Sequence, residues 1–416
     1  MKPQPTDCEV LIVGAGPVGA VLGCLLLVDG SVASGRVLLL DPRVPDLAVE
    51  LSQLPLDLRV FALSRASERI LRVCGVWDDI ERAGASPYER MVVWSGTDDP
   101  RHDPALLFDA AEQGEPNQGY IVPNNLLQLA LLQRFVVLGG RVERGSLAAL
   151  EFAADCMVAR CSAGPAQLSA RLIVGADGAD STVRQLAGLQ TLAGSYEQMS
   201  LVGNVLSERP HERTAWQRFL GHGTLALLPL ASGASSIVWS LPTHEAADCL
   251  QLTAAAFSAR LTVDSARVLG ELTLQSDCVG LPLRRRSADR YVRERCALAG
   301  DAAHVVHPLA GQGINLGLLD AAALAETLAT AQRDGEDLGA ARVLRNYERW
   351  RKSENGLMSQ AIDAFNRFLA TGDDSWSRLA RRGMRVVGDN GMLRRWFAER
   401  ALGMAGDLPR AASARR

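Results

Sequence analysis

Three glycines near the N-terminus have the spacing of a phosphate-binding turn. Gly14, Gly16 and Gly19 form the pattern G-x-G-x-x-G within GAGPVG. The first glycine of such a pattern permits a tight turn, the second lets a pyrophosphate approach the backbone, and the third lets a helix pack closely on a strand. A helix that begins here offers unpaired N–H groups and the positive end of its dipole to phosphates. The pattern therefore predicts a dinucleotide site.

The segments around the glycines are those that such a turn requires. Residues 8–13 predict a buried strand, and residues 17–29 predict an apolar helix. Residues 36–40 predict a second strand, which ends at Asp41. An acid at this distance after the glycines can accept hydrogen bonds from the ribose hydroxyls of an adenine nucleotide. A glycine turn without a ligand is therefore the minor alternative, and the choice between NAD and FAD stays open at this point.

Two later motifs favour FAD. Asp177 follows a predicted strand at 172–174, and Asp301 follows another predicted strand. A long helix is then predicted to begin at the residues Gly311, Gln312 and Gly313. A carboxylate at a strand end can hold a ribose or ribityl hydroxyl, and N–H groups at a helix start can stabilise the electron-rich edge of a flavin.

The sequence resembles the single-component (class A) FAD-dependent aromatic hydroxylases and, within them, the ubiquinone-biosynthesis monooxygenases that act on 2-polyprenylphenols and 2-polyprenyl-6-methoxyphenols. The longest shared block is AGDAAHVVHPLAGQGINLGLLDAAALAE at 299–326. The other shared blocks are GAGPVG at 14–19, DLRVFALSRAS at 57–67, GYIVPNNLLQLAL at 119–131, GADGADSTVR at 175–184, LALLPLASGASSIVWSLP at 225–242, LPL at 281–283 and YERWRKSEN at 347–355. They span most of the chain, and the flavin motifs follow the order of the family.

The resemblance implies a set of FAD-binding residues. The glycines of the first motif would hold the pyrophosphate and Asp41 the adenosine ribose. The other implied cofactor contacts are Arg59, Asn124, Gln128, Asp177 and Asp301. The implied flavin edge consists of Pro308, Gly311, Gln312, Gly313, Ile314 and Asn315. No catalytic side chain is assigned. Asp41, Pro123 and Asp180 depart from the family's more usual Glu, Glu and Asn, and none of these changes argues against FAD.

The predicted elements and the resemblance together indicate an α/β fold with three parts. A Rossmann-like FAD-binding domain of the glutathione-reductase and p-hydroxybenzoate-hydroxylase type would be built from residues 1–80, 105–185 and 280–345. Residues 81–104 and 186–279 would form an inserted antiparallel-sheet substrate domain, and 346–416 a helical C-terminal region. Alternating runs at 224–230 and 236–241 support the sheet. No separate NAD(P)H domain is predicted.

The activity that the resemblance implies is an FAD-dependent NAD(P)H:O2 monooxygenase. It would hydroxylate the aromatic ring of a polyprenylated phenol in ubiquinone biosynthesis, through a flavin C4a-hydroperoxide. Two alternatives stay open: an FAD monooxygenase of a soluble phenol, and a flavin-binding scaffold of a quinone-biosynthesis complex. A flavin halogenase is less favoured, because the chain lacks a W-x-W-x-I-P motif and its lysines are limited to Lys2 and Lys352.

The charge distribution along the chain is uneven. The 416 residues carry a formal net charge of −3, which argues against a nucleic-acid partner. Ten arginines and three acids between 376 and 416 give +7 there, so the rest of the chain carries −10. A helix at 391–405 would gather most of its apolar side chains on one arc. Such a basic amphipathic helix suits a membrane surface or a partner protein, with packing on the protein body as an equal alternative.

The remaining features predict no further chemistry. The eight cysteines contain no C-x-x-C pair, which predicts reduced thiols in a cytoplasmic protein and no metal site. The resemblance and the basic C-terminal residues allow a peripheral position on the inner membrane. A membrane-spanning segment is not expected. His304 and His307 lack an evident carboxylate or cysteine partner, which favours loop packing. Trp216, Phe219 and Trp239 favour core packing over substrate contact. Residues 284–286 (RRR) suit either an anion or a solvated strand end.

Overall fold

A computed structural model of the protein describes residues 6–95, 100–101, 106–153, 155–307, 312–370, 403 and 405–413, with the side chains of 361–370 left aside. The strands are β1 (Cys8–Val13), β2 (Val37–Asp41), β3 (Val60–Ser64), β4 (Ser86–Tyr88), β5 (Arg90–Ser95), β6 (Leu106–Asp109), β7 (Gly119–Pro123), β8 (Arg141–Arg144), β9 (Ser146–Phe152), β10 (Met157–Ala163), β11 (Gln167–Gly175), β12 (Thr191–Ser207), β13 (Thr214–Leu220), β14 (Gly223–Pro229), β15 (Ser235–Pro242), β16 (Leu272–Leu274), β17 (Val279–Ala288), β18 (Val292–Arg293), β19 (Cys296–Leu298) and β20 (His304–Val305).

The α-helices are α1 (Pro17–Val28), α2 (Arg65–Cys74), α3 (Trp77–Arg82), α4 (Asn124–Val137), α5 (Thr182–Leu186), α6 (Thr243–Leu250), α7 (Ala254–Asp264), α8 (Gln312–Arg333) and α9 (Ala341–Ala370). Short 3-10 helices occur at Leu51–Gln53, Ala110–Gln113, Gly300–Ala302 and Arg410–Ala412.

The first sheet is parallel at its centre and carries the glycine turn. Its strands follow the order β18-β19-β11-β1-β2-β8, and β10 and β9 extend it from β11. Strand β1 pairs in parallel with β11 and β2. Apart from Glu9 its residues are buried on both faces, because helices cover a parallel sheet on both sides, which explains the apolar run VLIV at 10–13. The loops at the carboxyl ends of β1, β2 and β11 therefore meet at one edge of the sheet.

Helix α1 is apolar around nearly its whole circumference because it lies inside the protein. It begins with Pro17, which fits the first helical turn, and packs against α4 and α8. Gly23 lets the ring of Phe135 from α4 approach, since a Cβ at Gly23 would lie 2.7 Å from that ring. This close packing fixes the position of the glycine turn relative to α4.

The second sheet has nine strands and forms the wall opposite the glycine turn. Its order is β20-β17-β12-β15-β14-β13-β5-β6, and β16 pairs with β12. One face packs on α6 and α7 through a core that contains Trp239, Phe257 and Leu227. The pairing is antiparallel except between β13 and β5, which run parallel. A separate three-stranded sheet has the order β3-β7-β4, and its strands alternate along the chain with those of the second sheet.

The predicted fold class is confirmed: an α/β protein with a Rossmann-like sheet and a large, mainly antiparallel second sheet. The predicted strand at residues 8–13 and the predicted helix at 17–29 agree with β1 and α1 to within one residue. The parallel β13–β5 pair was not predicted, because those strands are distant in the chain. The proposed domain boundaries remain predictions, and the predicted helix at 391–405 lies mainly outside the described residues.

Candidate active site

The turn between β1 and α1 contains two glycines that the fold requires and one that faces open space. Gly14 has a φ of +109°, and a Cβ built on it would lie 2.3 Å from the carbonyl oxygen of Ala176. A Cβ on Gly19 would lie 2.1 Å from the carbonyl oxygen of Gly14. A Cβ on Gly16 would meet no atom within 4 Å, because Gly16 borders a large cleft. The turn therefore leaves room for a ligand at the N-terminus of α1.

Asp41 ends β2 and lines the same cleft. One carboxylate oxygen accepts a hydrogen bond from the N–H of Ala15 at 2.8 Å, and the other accepts one from the N–H of Arg43 at 2.7 Å. Each carboxylate oxygen has two lone-pair sites, so both can accept a further bond from a ligand hydroxyl. Asp41 thus holds the glycine turn in place and offers acceptors to the cleft.

Arg59, Asn124 and Gln128 line the cleft beside the glycine turn. The Nε2 of Gln128 donates to the carbonyl oxygen of Ala15 at 2.9 Å, which ties α4 to that turn. Asp57 accepts from the N–H of Arg59 at 3.0 Å and, with its other oxygen, from the Nδ2 of Asn124 at 3.2 Å. Asp57 was missed as a site residue. An Asp that bonds the N–H two residues later is a known turn signal, so the sequence did contain a sign of it.

Asp177 lies in the cleft wall between β11 and α5. Its Oδ2 accepts from the N–H groups of Thr182 and Val183 at 2.7 and 3.1 Å and so caps α5. Its Oδ1 is buried and has no hydrogen-bond partner within the described residues. A buried acceptor without a partner destabilises a protein by about 1–3 kcal/mol. The Oδ1 is therefore a candidate acceptor for a ligand hydroxyl.

Asp301 borders the cleft from the 3-10 helix Gly300–Ala302. Its side chain is open to the cleft and surrounded by protein on its other sides. This burial raises the pKa of Asp301 above its ordinary value, and the positive charges of His304 and Arg59 oppose the rise. The carboxyl group borders the cleft, where it can hydrogen-bond a hydroxyl of a ligand.

Some of the predicted flavin-edge residues line the cleft, and others lie outside the described residues. Gly313 and Ile314 line the cleft, and Gln312 begins α8. Pro308 and Gly311 lie outside the described residues. The first turn of α8 therefore borders the same cleft as Asp301.

The side chain of Asn315 is hydrogen-bonded to β3 and α2. Its Oδ1 accepts from the N–H of Ser64 at 2.9 Å and from the hydroxyl of Ser67 at 2.6 Å. Its Nδ2 donates to the carbonyl oxygen of Ala62 at 2.9 Å. Asn315 thus fastens the first turn of α8 to β3 and α2.

A buried cluster behind the cleft connects α8 to α9. The Oδ2 of Asp320 lies 2.5 Å from the Nε2 of His304 and accepts from the N–H of Gly300 at 3.1 Å. Its Oδ1 accepts from Arg351 at 2.8 Å and Asn355 at 2.9 Å. Burial alone would raise the pKa of Asp320, but the charges and hydrogen bonds of His304 and Arg351 outweigh it and lower the pKa to about 2. Asp320 is therefore an ionised carboxylate at neutral pH.

This cluster corrects one expectation from the sequence. His304 does have a carboxylate partner, and sequence spacing did not reveal it because Asp320 comes from the next helix. His307 lies elsewhere, with its Nε2 3.1 Å from the Oε1 of Gln198. The two histidines therefore do not form a joint site. Within the described residues, no group of three His, Cys, Asp or Glu side chains could hold a metal ion.

The other candidate residues are largely structural. Trp216 and Trp239 belong to the core beneath the second sheet, and Trp216 also borders the cleft. Arg286 donates to the carbonyl oxygen of Ala179 at 2.5 Å and pairs with Asp180 at 2.6 Å, so it braces the loop that carries Asp177.

Helix α8 is long and apolar enough to cross a membrane, but 72% of its most apolar 18-residue stretch is buried inside the protein. A buried core helix has this same composition.

The cleft has a volume of about 900 Å³, near the upper end of the range of about 300–1,000 Å³ for small-molecule sites. It lies between the first sheet's loops and the free face of the second sheet. The predicted cofactor residues that line it are Gly14, Gly16, Asp41, Arg59, Asn124, Gln128, Asp177, Asp301, Gly313 and Ile314. Residues from seven separate stretches of the chain thus meet at one site.

Comparison with known proteins agrees with this geometry. Residues 7–355 match the family described as FAD binding domain. The chain is 34% identical over 406 residues to 3-demethoxyubiquinol 3-hydroxylase of Escherichia coli, which covers 97% of this chain and 100% of the relative. It is 36% identical to ubiquinone hydroxylase UbiL of Rhodospirillum rubrum, over 95% of this chain and 89% of that protein.

The fold is similar to that of p-nitrophenol 4-monooxygenase PnpA from Pseudomonas putida, with a TM-score of 0.75, 20% identity, and 96% and 99% of the two chains covered. At this identity the likeness concerns the fold alone. The family match over residues 7–355 and the full-length relatives show that the chain belongs to the FAD-dependent monooxygenase family that includes the ubiquinone-biosynthesis hydroxylases.

Proposed function

We propose that this protein hydroxylates the aromatic ring of a polyprenylated phenol in ubiquinone biosynthesis, with NAD(P)H and O2 as co-substrates. The observation that carries the proposal is the continuity of one cleft from the glycine turn to the free face of the second sheet. Such a cleft can hold a dinucleotide at one end and an aromatic ring at the other. The full-length similarity to a demethoxyubiquinol hydroxylase supports the choice of substrate class.

The residues of the cleft fit FAD. The open space at Gly16 and the N-terminus of α1 suit the pyrophosphate, and Asp41 suits the adenosine ribose. The Oδ1 of Asp177 and the carboxyl group of Asp301 would accept hydrogen bonds from hydroxyl groups of the ribityl chain. The first N–H groups of α8, near Gly313, would face the flavin ring.

When bound, FAD would accept reducing equivalents from NAD(P)H and activate O2 for ring hydroxylation. The chain itself binds FAD and the substrate, orients them relative to each other and shields them from water. The N-terminus of α8 would place N–H groups and a positive dipole end where negative charge develops. The face of the second sheet would exclude water from the ring. No side chain is proposed as a nucleophile.

The proposal is tested by expressing the chain in an Escherichia coli strain that lacks its 3-demethoxyubiquinol 3-hydroxylase. We expect ubiquinone to reappear and the demethoxy intermediate to disappear from lipid extracts. A Gly16→Ala variant should leave the intermediate in place. Accumulation of a different quinone intermediate in a deletion strain of the source organism would identify another ring carbon as the target.

Purified, FAD-loaded protein separates the two alternatives. NAD(P)H oxidation that is stimulated by soluble phenols and not by prenylphenols would favour a monooxygenase of a soluble substrate. Binding of FAD without NAD(P)H oxidation under either condition would favour a scaffold in a quinone-biosynthesis complex. We expect stimulation by the prenylphenol, with one NAD(P)H consumed for each ring hydroxylated.

We further propose a peripheral contact with the inner membrane through the arginines between 376 and 402. Residues 405–413 pack on the protein: Trp350 donates to the carbonyl oxygen of Asp407, and the N–H of Arg410 donates to Glu326. The arginines upstream of that contact are the candidates for anionic lipid. Replacing the seven arginines from Arg378 to Arg400 by Gln should abolish flotation with anionic liposomes. Unchanged flotation would exclude this contact.

A further inference from the structure

The cleft face of the second sheet differs from its core face because the strands alternate. On β15, Ile237 and Trp239 point into the core, whereas Ser236, Val238 and Ser240 line the cleft. Side chains of a strand point to opposite faces in turn, so Ser236, Val238 and Ser240 share the cleft side, whereas Ser235 lies on the side of Ile237 and Trp239. The eight residues of β15 therefore form both a cleft face and a core face.

Three hydroxyl side chains form a line across this cleft face. Ser200 of β12 pairs directly with Ser240 of β15, and Ser240 pairs directly with Thr224 of β14. Directly paired residues on antiparallel strands have Cα atoms about 4.5–5.5 Å apart, so the line is about 10 Å long. All three residues line the cleft, and they are only 3%, 2% and 7% exposed. We name Ser200, Ser240 and Thr224 the hydroxyl row.

A line of apolar side chains lies next to the hydroxyl row. Val202, Val238 and Ala226 pair directly across the same three strands and also line the cleft. We name these three residues the apolar row. Beyond it, Ser236 provides another hydroxyl. A flat ring that lies on the apolar row would therefore have hydroxyl groups along its edge.

Two of these hydroxyl groups have no partner inside the protein. The Oγ atoms of Ser200 and Ser236 are buried and form no hydrogen bond within the described residues. Buried polar groups in proteins are almost always hydrogen-bonded, so a group that lacks a partner and faces a cavity points to a ligand or a bound water. An uncharged oxygen of a ligand can serve as that partner, whereas a buried carboxylate would require a cation beside it.

The sheet side of the cleft has no such cation. Within the described residues, the arginines that line the cleft are Arg43 and Arg59, and both come from the loops on the dinucleotide side. A ring with a carboxylate would therefore be poorly accommodated against the sheet. A ring with hydroxyl or methoxy groups would find hydrogen-bond partners there.

We propose that the hydroxyl row binds the oxygen substituents of the substrate ring while the apolar row supports its face, so that Ser200 and Thr224 select neutral, multiply oxygenated phenols. This assignment rests on the proposed ring hydroxylation and adds the residues that determine its specificity. It also predicts that a phenol with a second ring oxygen binds more tightly than a phenol with one.

The test measures binding to FAD-loaded protein without NAD(P)H, by calorimetry or by the change in flavin absorbance. The probes are a prenylated 2-methoxyphenol, the same prenylphenol without the methoxy group, and a prenylated hydroxybenzoate. We expect the methoxyphenol to bind about five- to tenfold more tightly than the plain phenol, which is the effect of one added hydrogen bond. The hydroxybenzoate should bind most weakly.

Ser200→Ala and Thr224→Val should reduce the ratio of the two phenol dissociation constants toward one. Thr273→Val is the matched control, because Thr273 is an exposed strand residue on β16 outside the cleft, and it should keep the wild-type ratio. Ser200→Ala removes a hydroxyl group without a partner, so the unfolding midpoint should not fall. A ratio that is unchanged in both cleft variants, or tightest binding of the hydroxybenzoate, would overturn the assignment.

The outcomes also separate this assignment from the proposed function. Selective binding without any NAD(P)H-dependent hydroxylation would support the role of the hydroxyl row in specificity and reject the proposed function. Hydroxylation with an unchanged binding ratio in both variants would retain the function and reject the hydroxyl row.

Discussion

The Nε2 of His304 and the Oδ2 of Asp320 lie 2.5 Å apart in the interior of the protein. His304 follows Asp301 of the cleft wall by three residues, and Asp320 stands about two helical turns after Gly313 on α8. The other oxygen of Asp320 binds Arg351 of α9. One carboxylate therefore joins residues 300–304, helix α8 and helix α9 behind the cleft.

Removing the charge of Asp320 should destabilise the protein strongly. We expect Asp320→Asn to lower the free energy of unfolding by about 3–5 kcal/mol, because it leaves Arg351 buried without its ionised partner. Denaturant unfolding followed by circular dichroism measures this change. The control is Asp334→Asn, an exposed acid just beyond the end of α8, which should change the free energy by less than about 0.5 kcal/mol. Equal effects of the two substitutions would contradict the importance of the buried cluster.

The contribution of Asp320 should depend on pH in the acid range only. Its pKa is lowered from 3.8 to about 2, so the folded state binds the proton more weakly than the unfolded state. The stabilisation is therefore fully present above about pH 4 and is lost as the pH falls toward 2. It amounts to about 2 kcal/mol by linkage. The difference in unfolding free energy between wild type and Asp320→Asn, measured from pH 7 to pH 2.5, should be constant above pH 4 and shrink below it.

The glycines of the first turn should respond differently to the same substitution. Gly16→Ala adds a methyl group to open cleft space at a residue with an ordinary φ of −71°, so the protein should fold and lose FAD. Gly19→Ala places a Cβ 2.1 Å from a backbone oxygen and should impair folding itself. Flavin absorbance after purification, together with thermal unfolding of the apoproteins, separates the two effects. Retention of FAD by Gly16→Ala would argue against a pyrophosphate at this position.

Asp57 should influence FAD affinity without touching the cofactor. It bonds the backbone of Arg59 and the side chain of Asn124, and an Asn at this position keeps only one of the two acceptor oxygens. We expect Asp57→Asn to weaken FAD binding about tenfold, which corresponds to one lost hydrogen bond in a positioning network. The control is Asn125→Ala, which removes a bond to Pro55 and leaves Asp57 intact. An unchanged FAD dissociation constant in Asp57→Asn would reject the positioning role.

Local patterns made much of the fold predictable. The glycine turn, β1, α1 and β2 follow from residues that are adjacent in the chain, and their requirements for φ and close packing are visible at Gly14 and Gly19. The alternation of β15 likewise predicts a sheet with one buried face. These features depend on contacts within about 40 residues.

The contacts that join distant segments were not predictable in the same way. Asp320 meets His304 and Arg351 across two helices, and the side chain of Asn315 is engaged by Ser64, about 250 residues earlier in the chain. No local propensity encodes such a pair, since either residue could equally face solvent. The roles of Asp320 and of the orphan hydroxyl of Ser200 became visible only when the helices and strands were placed together.

The unpartnered oxygen of Asp177 provides the most specific test of the FAD assignment. In Asp177→Asn the amide oxygen can still accept from Thr182 and Val183 and cap α5, while the amide nitrogen replaces the free Oδ1. An acceptor thus becomes a donor, and a ribityl or ribose hydroxyl loses its partner. We expect the FAD dissociation constant to rise about tenfold or more while the apoprotein loses less than about 1 kcal/mol of stability. Asp180→Asn, in the same loop, removes a surface ion pair with Arg286 but keeps the bond from Arg286 to the carbonyl oxygen of Ala179, so the loop stays braced and FAD binding should be unchanged. Equal FAD affinity in wild type and Asp177→Asn would show that the buried oxygen is satisfied by water instead.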